Sequence, residues 1–256
     1  MNDPNTSFHP RQRHGVVGRA VPVGGRALLL AALFAGSGWA AEPLRIVIIG
    51  DSTVCDFPAS RPQRGWGQFV EEQFQPGAVK VLNLARSGRS SKSFITEGLW
   101  ERAKAQRPDF VLIQFGHNDS HARTEPKATD ADGDFKEYLR RYADETRALG
   151  ATPIFITPMH RRTFHSDGSL NDILKPYAEA MKTVAAEKAA AVIDLHTMSG
   201  ELFARLGEKG SEQFANAPGD RTHFNEAGAR AMAGLVMKQL PAAEPRLAKW
   251  LRPGQR

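Results

Sequence analysis

Arg45-Ile-Val-Ile-Ile-Gly50, running straight into Asp51-Ser52-Thr53, is a short β-branched run that stops at a turn. Its unbroken apolar stretch fits a strand buried on both faces, the habit of parallel sheets whose crossovers are helices. Similar runs recur at 79–85, 110–116, 153–158 and 192–195. Between them, segments 67–74, 93–105, 135–149, 171–190 and 225–240 carry apolar residues at helical spacing. Successive βαβ units of this kind predict an α/β sandwich in one domain. In such sheets ligands bind beyond the carboxyl ends of the strands. Three polar turns leave those ends: Gly50-Asp-Ser52, Arg86-Ser-Gly88 and Gly116-His-Asn-Asp119.

The chain has 256 residues, long enough for one well-buried core. Its first 41 residues differ in composition: Arg11, Arg13, Arg19 and Arg26 precede the apolar run 27–36, and small residues surround Trp39. This matches a secretory signal cleaved after Ala40 or Ala41, leaving one domain over 42–256 and a secreted, periplasmic or extracellular product. The run is too short to span a bilayer comfortably, and no later segment predicts stable membrane insertion. Without residues 1–41, Lys+Arg falls from 34 to 30 and Asp+Glu from 28 to 27. An excess of three lacks the concentrated basic face that nucleic acid requires. Cys55 stands alone, so no internal disulfide forms, and its setting reads as a small buried residue rather than a thiol nucleophile.

Ser52 at the first strand end invites comparison with Asp220-Arg-Thr-His223, far downstream and just before the last amphipathic helix. A serine hydroxyl attacks only when a base takes its proton, and a histidine serves only when a third group fixes its tautomer. Asp220 three residues before His223 can supply that group locally; the alternative is that Asp220 caps the following helix. Gly88 and Asn118 lie at the same edge and, with the Ser52 N–H, can donate to a developing oxyanion. Gly88 would admit a backbone N–H without a Cβ in the way.

Gly50-Asp-Ser52-Thr, Gly88, Gly116-His-Asn118-Asp and Asp220-x-x-His223 resemble, in order, the four blocks of the SGNH (GDSL-like) hydrolase superfamily. The resemblance implies a flavodoxin-like three-layer α/β/α sandwich with a central parallel five-stranded sheet and no metal or organic cofactor. It also implies Ser52 as nucleophile, His223 as base, Asp220 as orienting acid, and Gly88 and Asn118 as oxyanion donors. Gly65-Trp-Gly67, the segment from Asn83 to Ser90, Phe115-Gly-His-Asn-Asp119 and Arg161-Arg162-x-Phe164 are similar to rhamnogalacturonan acetylesterases. That implies deacetylation of an acidic pectic polysaccharide or oligosaccharide. The departure from the pattern is Phe224-Asn225 after His223, which puts the pocket floor or the helix start in question.

Other chemistries find less support. No Gly-x-Ser-x-Gly elbow, Walker loop or full Gly-x-Gly-x-x-Gly is present. His117, Asp119 and His121 are close in sequence, but alternate loop positions do not define a metal geometry. His117 reads either as a brace for the Asn118 loop or as a solvent-facing residue. Arg161 and Arg162, with Arg86 or Arg89, are candidates to meet galacturonate carboxylates, since guanidinium pairs carboxylate bidentately. Trp66 is a candidate sugar platform, though an aromatic at a helix start more often belongs to the core. A broader esterase, lipase or thioesterase, or a binding module without turnover, are the alternative functions.

Overall fold

The structure, a computed structural model, describes residues 42–254; the proposed signal segment lies outside them. Five strands, β1 (Leu44–Gly50), β2 (Val79–Asn83), β3 (Phe110–Gln114), β4 (Thr152–Ile156) and β5 (Ala191–Ile193), form one all-parallel sheet in the order β2-β1-β3-β4-β5. β1 lies inside the sheet between β2 and β3, pairing Ile46 with both Val81 and Phe110.

Strand periodicity sends alternate side chains to opposite faces. Ile46, Ile48, Leu112, Ile154 and Ile156 face one core, which holds α5 (Leu195–Ser211) and α6 (Glu226–Ala243) through Phe203, Met232 and Val236. Val47, Ile49, Val111, Ile113 and Phe155 face the other. There α1 (Ser91–Thr96), α2 (Leu99–Lys104), α3 (Asp134–Ala148) and α4 (Lys175–Glu187) pack with Phe94, Trp100, Tyr142 and Met181. Each such side chain, fully withdrawn from water, contributes roughly 1.5–3 kcal/mol before entropy is counted. A short α7 (Pro245–Ala248) follows. Among the described residues, no helix is long and apolar enough to cross a membrane.

Local chemistry moves several element boundaries. The 93–105 helix is two helices, broken by left-handed Gly98 (φ 73°). The 67–74 helix is a pair of 3-10 turns, Trp66–Phe69 and Glu71–Gln73. Helix α4 begins only at Lys175, beside Pro176, which leaves 171–174 as loop. Helix α5 was not expected: Asp194 caps it by accepting from Thr197 N, but Gly200 and a kink at Gly207 (φ 67°) interrupt its apolar period. Strands β2, β3 and β4 end two residues before the predicted 85, 116 and 158, and the chain they release builds the site edge.

Candidate active site

The site begins with a tight turn. The Asp51 carbonyl accepts from Val54 N (3.2 Å) and Cys55 N (3.0 Å), lifting Ser52 off the end of β1. Gly65-Trp-Gly67 presses against this turn: a Cβ at Gly65 would stand 2.3 Å from the Cys55 carbonyl oxygen, and one at Gly67 2.6 Å from that of Val54. A buried chain of hydrogen bonds then holds the turn from behind. The Trp66 indole N–H donates to Gln114 Oε1 (2.8 Å), and Gln114 Nε2 donates to Thr53 Oγ1 (2.8 Å). The Thr53 hydroxyl in turn donates to Asp51 Oδ1 (2.7 Å). Asp51 Oδ2 stands 3.6 Å from His117 Nδ1. Burial pushes the Asp51 carboxyl up, but His117 and the Thr53 donors outweigh it and hold the group below the ordinary carboxylate range.

Opposite Ser52, residues 220–223 fold on themselves. Asp220 Oδ1 accepts from Thr222 N and His223 N, both at 2.8 Å, while Oδ2 lies 3.0 Å from His223 Nδ1. With Nδ1 donating to the carboxylate, Nε2 is left to accept, and it lies 3.0 Å from Ser52 Oγ. Burial raises the Asp220 carboxyl, yet the two backbone donors and His223 together bring it below its usual value, so it stays ionised. The helix-cap alternative fails, because Asn225 is the cap of α6, accepting from Gly228 N (3.0 Å). The Phe224-Asn225 departure thus supplies a helix start and a buried ring.

Both arginines of the 161–162 pair are committed inside the protein rather than offered to a ligand. Arg162 is fully buried; its guanidinium donates to the carbonyls of Asp220 and His223, each at 2.7 Å, and lies 4.5 Å from the centre of the Phe224 ring. Arg161 donates to the His117 carbonyl (2.9 Å) and to the Thr222 hydroxyl, joining the two loops. Their place after β4 suggested an exposed edge, but the 220–223 loop roofs it. Trp66 is likewise no sugar platform, being fully buried with its N–H spent on Gln114.

Asn118 Nδ2 donates to the Arg89 carbonyl (3.1 Å), tying the β3 loop to the Gly88 loop. Gly88 is glycine for its left-handed φ of 80°, not for close approach, since an added Cβ would meet nothing within 4 Å. Arg89 pairs with Glu97 (2.9 Å), while exposed Arg86 and Arg102 line a cavity of about 440 Å³ with Asn83, Glu97 and Leu99.

The three loop groups weighed as a metal set go separate ways. His117 is buried against Asp51, so the solvent-facing reading is excluded, and His121 is exposed. Asp119 is buried, accepting from Ser91 N (3.0 Å), Gly116 N (3.0 Å) and Thr129 Oγ1 (3.1 Å). Burial pushes the Cys55 thiol up to about 12, which leaves it a poor nucleophile. The positioning network of Asp51, Thr53 and Gln114 was not foreseen. Its one signal was Gln114, a lone polar residue in the apolar run 110–115.

Residues 48–231 match the GDSL-like lipase/acylhydrolase family. The chain is 37% identical over 211 residues to rhamnogalacturonan acetylesterase RhgT of Bacillus subtilis, covering 76% of this chain and 88% of that protein. It superposes on the crystal structure of B. subtilis YxiM with a TM-score of 0.68 at 30% identity, covering 78% of this chain and 56% of that one. The acetylxylan esterase Axe2 of Geobacillus stearothermophilus shares the fold (TM-score 0.61, 21% identity, 82% and 97% covered). A serine, a histidine and a carboxylate in hydrogen-bonding sequence at the sheet edge, together with these matches, mean that the chain belongs to the GDSL-like lipase/acylhydrolase family and is a carboxylic ester hydrolase.

Proposed function

We propose that the chain is an acetylesterase acting on an acidic, O-acetylated plant polysaccharide of the rhamnogalacturonan class, with Ser52, His223 and Asp220 as its catalytic triad. The observation that carries this reading is the Ser52–His223–Asp220 relay, two contacts of 3.0 Å each, in a chain related to RhgT. Ser52 Oγ attacks the acetyl carbonyl as His223 Nε2 takes its proton. The oxyanion is received by the N–H groups of Ser52 and Gly88 and the Asn118 amide. Collapse breaks the ester C–O bond, the departing sugar oxygen takes the proton from His223 to become a hydroxyl, and acetyl-Ser52 is left for water to hydrolyse through the same base.

The His223 side chain is 34% exposed, so a bulky polymer can reach the relay without threading a tunnel. Arg86 and Arg102 supply positive charge in the cavity by the Gly88 loop, suited to galacturonate carboxylates. Export belongs to the same reading, on the strength of the 1–41 leader, and N-terminal sequencing of the protein from culture fluid tests it.

The main test is acetate release from acetylated rhamnogalacturonan, acetylated xylan and p-nitrophenyl acetate by wild type and Ser52→Ala. Rapid release from the pectic polymer, falling at least ~10⁴-fold in the variant, is expected. Release from xylan or the aryl ester alone would keep the serine esterase and remove the pectic substrate. Release that survives Ser52→Ala would remove the triad.

A further inference from the structure

On the far side of the Arg161–Arg162 pair, two histidines and a carboxylate meet. His160 follows β4, His196 opens α5, and Asp172 belongs to the loop before α4. Their ligand atoms all lie within 4.8 Å of one another. His196 Nε2 stands 3.0 Å from Asp172 Oδ1, and His160 Nε2 stands 3.7 Å from the same oxygen.

The tautomer of His196 makes this arrangement informative. Its Nδ1 lies 3.0 Å from the Pro158 carbonyl, which can only accept, so Nδ1 carries the proton. In that tautomer a neutral ring leaves Nε2 with a bare lone pair, 3.0 Å from a carboxylate oxygen and with no hydrogen bond to it. Two acceptors at 3.0 Å repel unless a positive charge lies between them. His196 is only 5% exposed, and its Nε2 has no hydrogen-bond donor. An imidazole whose second nitrogen donates to a backbone carbonyl is the usual outer support of a metal-bound histidine.

The surroundings hold the donors in place. His160 N donates to Ser199 Oγ (3.0 Å) and His196 N to Thr157 Oγ1 (2.8 Å), so both histidine backbones are pinned. Gly200 makes room for the His160 ring: a Cβ there would stand 2.9 Å from its Nε2. Tetrahedral bonds of about 2.0–2.1 Å put neighbouring ligand atoms about 3.3 Å apart, between the two separations found.

We propose that His160, Asp172 and His196 bind a divalent transition-metal ion of the zinc type, with one position left toward solvent beside the 34%-exposed Asp172 side chain. Two imidazoles and one carboxylate are a borderline donor set that suits zinc over calcium or magnesium. The ion fastens the 163–174 segment to β4 and α5, one residue from the arginines that carry the 220–223 loop. It takes no part in ester cleavage.

The test is calorimetric titration of chelator-stripped protein with Zn²⁺ alone, alongside thermal melting. One ion per chain at sub-micromolar Kd with a raised Tm is expected, and Asp172→Asn and His196→Gln should each weaken binding at least ~100-fold. His223→Gln should leave it unchanged, separating this site from the esterase histidine. Should either ligand variant fail to fold, Co²⁺ added to wild type is expected to shift the ring-proton resonances of His160 and His196 and to spare those of His223. No stoichiometric binding, binding lost with His223→Gln, or cobalt shifts confined to His223 would each overturn the site.

Discussion

Ser52 rests on a polar network sealed inside the protein, whereas Asp220 and His223 occupy a four-residue turn that still meets water. On the Ser52 side, Asp51, Thr53, Gln114, Trp66 and His117 are all nearly or fully buried, and they come from the ends of two strands, β1 and β3, and a 3-10 turn. On the base side, one carboxylate closes its own loop, and the Asp220 and His223 side chains are 21% and 34% exposed. Buried polar networks are costly to leave half-made, so they fix a geometry rigidly. A local turn is cheap to build but needs an external post, and Arg162 is that post. In the proposed mechanism this suits a serine held in one place and an imidazole that passes a proton between serine and leaving group.

The sharpest way to break this contrast is Asp220→Asn. The amide oxygen can still accept from Thr222 and His223 N–H, but its NH₂ faces Nδ1 and imposes the wrong tautomer. We expect kcat to fall by ~10⁴-fold with little change in Tm. Steady-state kinetics on p-nitrophenyl acetate checks this, and a loss below tenfold would show that the base is oriented by something else.

Arg162→Met probes the post. It strands the carbonyls of Asp220 and His223, at a cost of about 1–3 kcal/mol, and loosens the turn. A fall in kcat of ~10–100-fold is expected, equal for acidic oligosaccharides and neutral aryl acetates, with Tm lowered by about 2–4 °C per kcal/mol. A rise in KM confined to the acidic substrate would instead return Arg162 to direct substrate contact.

The last test, on the buried side, leaves the relay untouched and is read in pH. Burial pushes the Asp119 carboxyl up to about 7 from an ordinary 3.8, against the Ser91 and Thr129 donors that oppose the rise. Between those values the folded state keeps a proton that the unfolded chain releases. The contribution of Asp119 is therefore full below about pH 4 and lost as pH rises to about 7. The Tm advantage of wild type over Asp119→Asn should shrink across that window. An advantage that grows with pH would mean that the donors win and Asp119 is ionised throughout.

Much of this is legible in the sequence. Apolar runs bounded by turns located all five strands, and the resemblance of four sequence blocks, in order, to a hydrolase superfamily pointed to Ser52, Asp220 and His223 as partners. Arginines 161 and 162 misled, because position after a strand says where a backbone leaves the sheet and not what later chain covers it. Trp66 belongs to the core, as an aromatic at a helix start more often does, and is no sugar platform. Gln114 was visible as a polar residue in an apolar strand, but its partners lie 48 and 61 residues away. Helix α5 escaped because glycines break the period by which helices are recognised.

Period and turn chemistry are local, so the amino-acid order alone specifies the parallel α/β layering and the residue types that meet at its carboxyl edge. The Asp220–His223 spacing is local too, but it left the helix-cap reading open, and Asn225 capping α6 removed it. Which arginines carry a loop, which histidine faces Asp51, and that His160, Asp172 and His196 converge were decided only by the tertiary structure. Those outcomes depend on which distant segments share a buried volume, and burial is a property of the packed whole rather than of any stretch of chain.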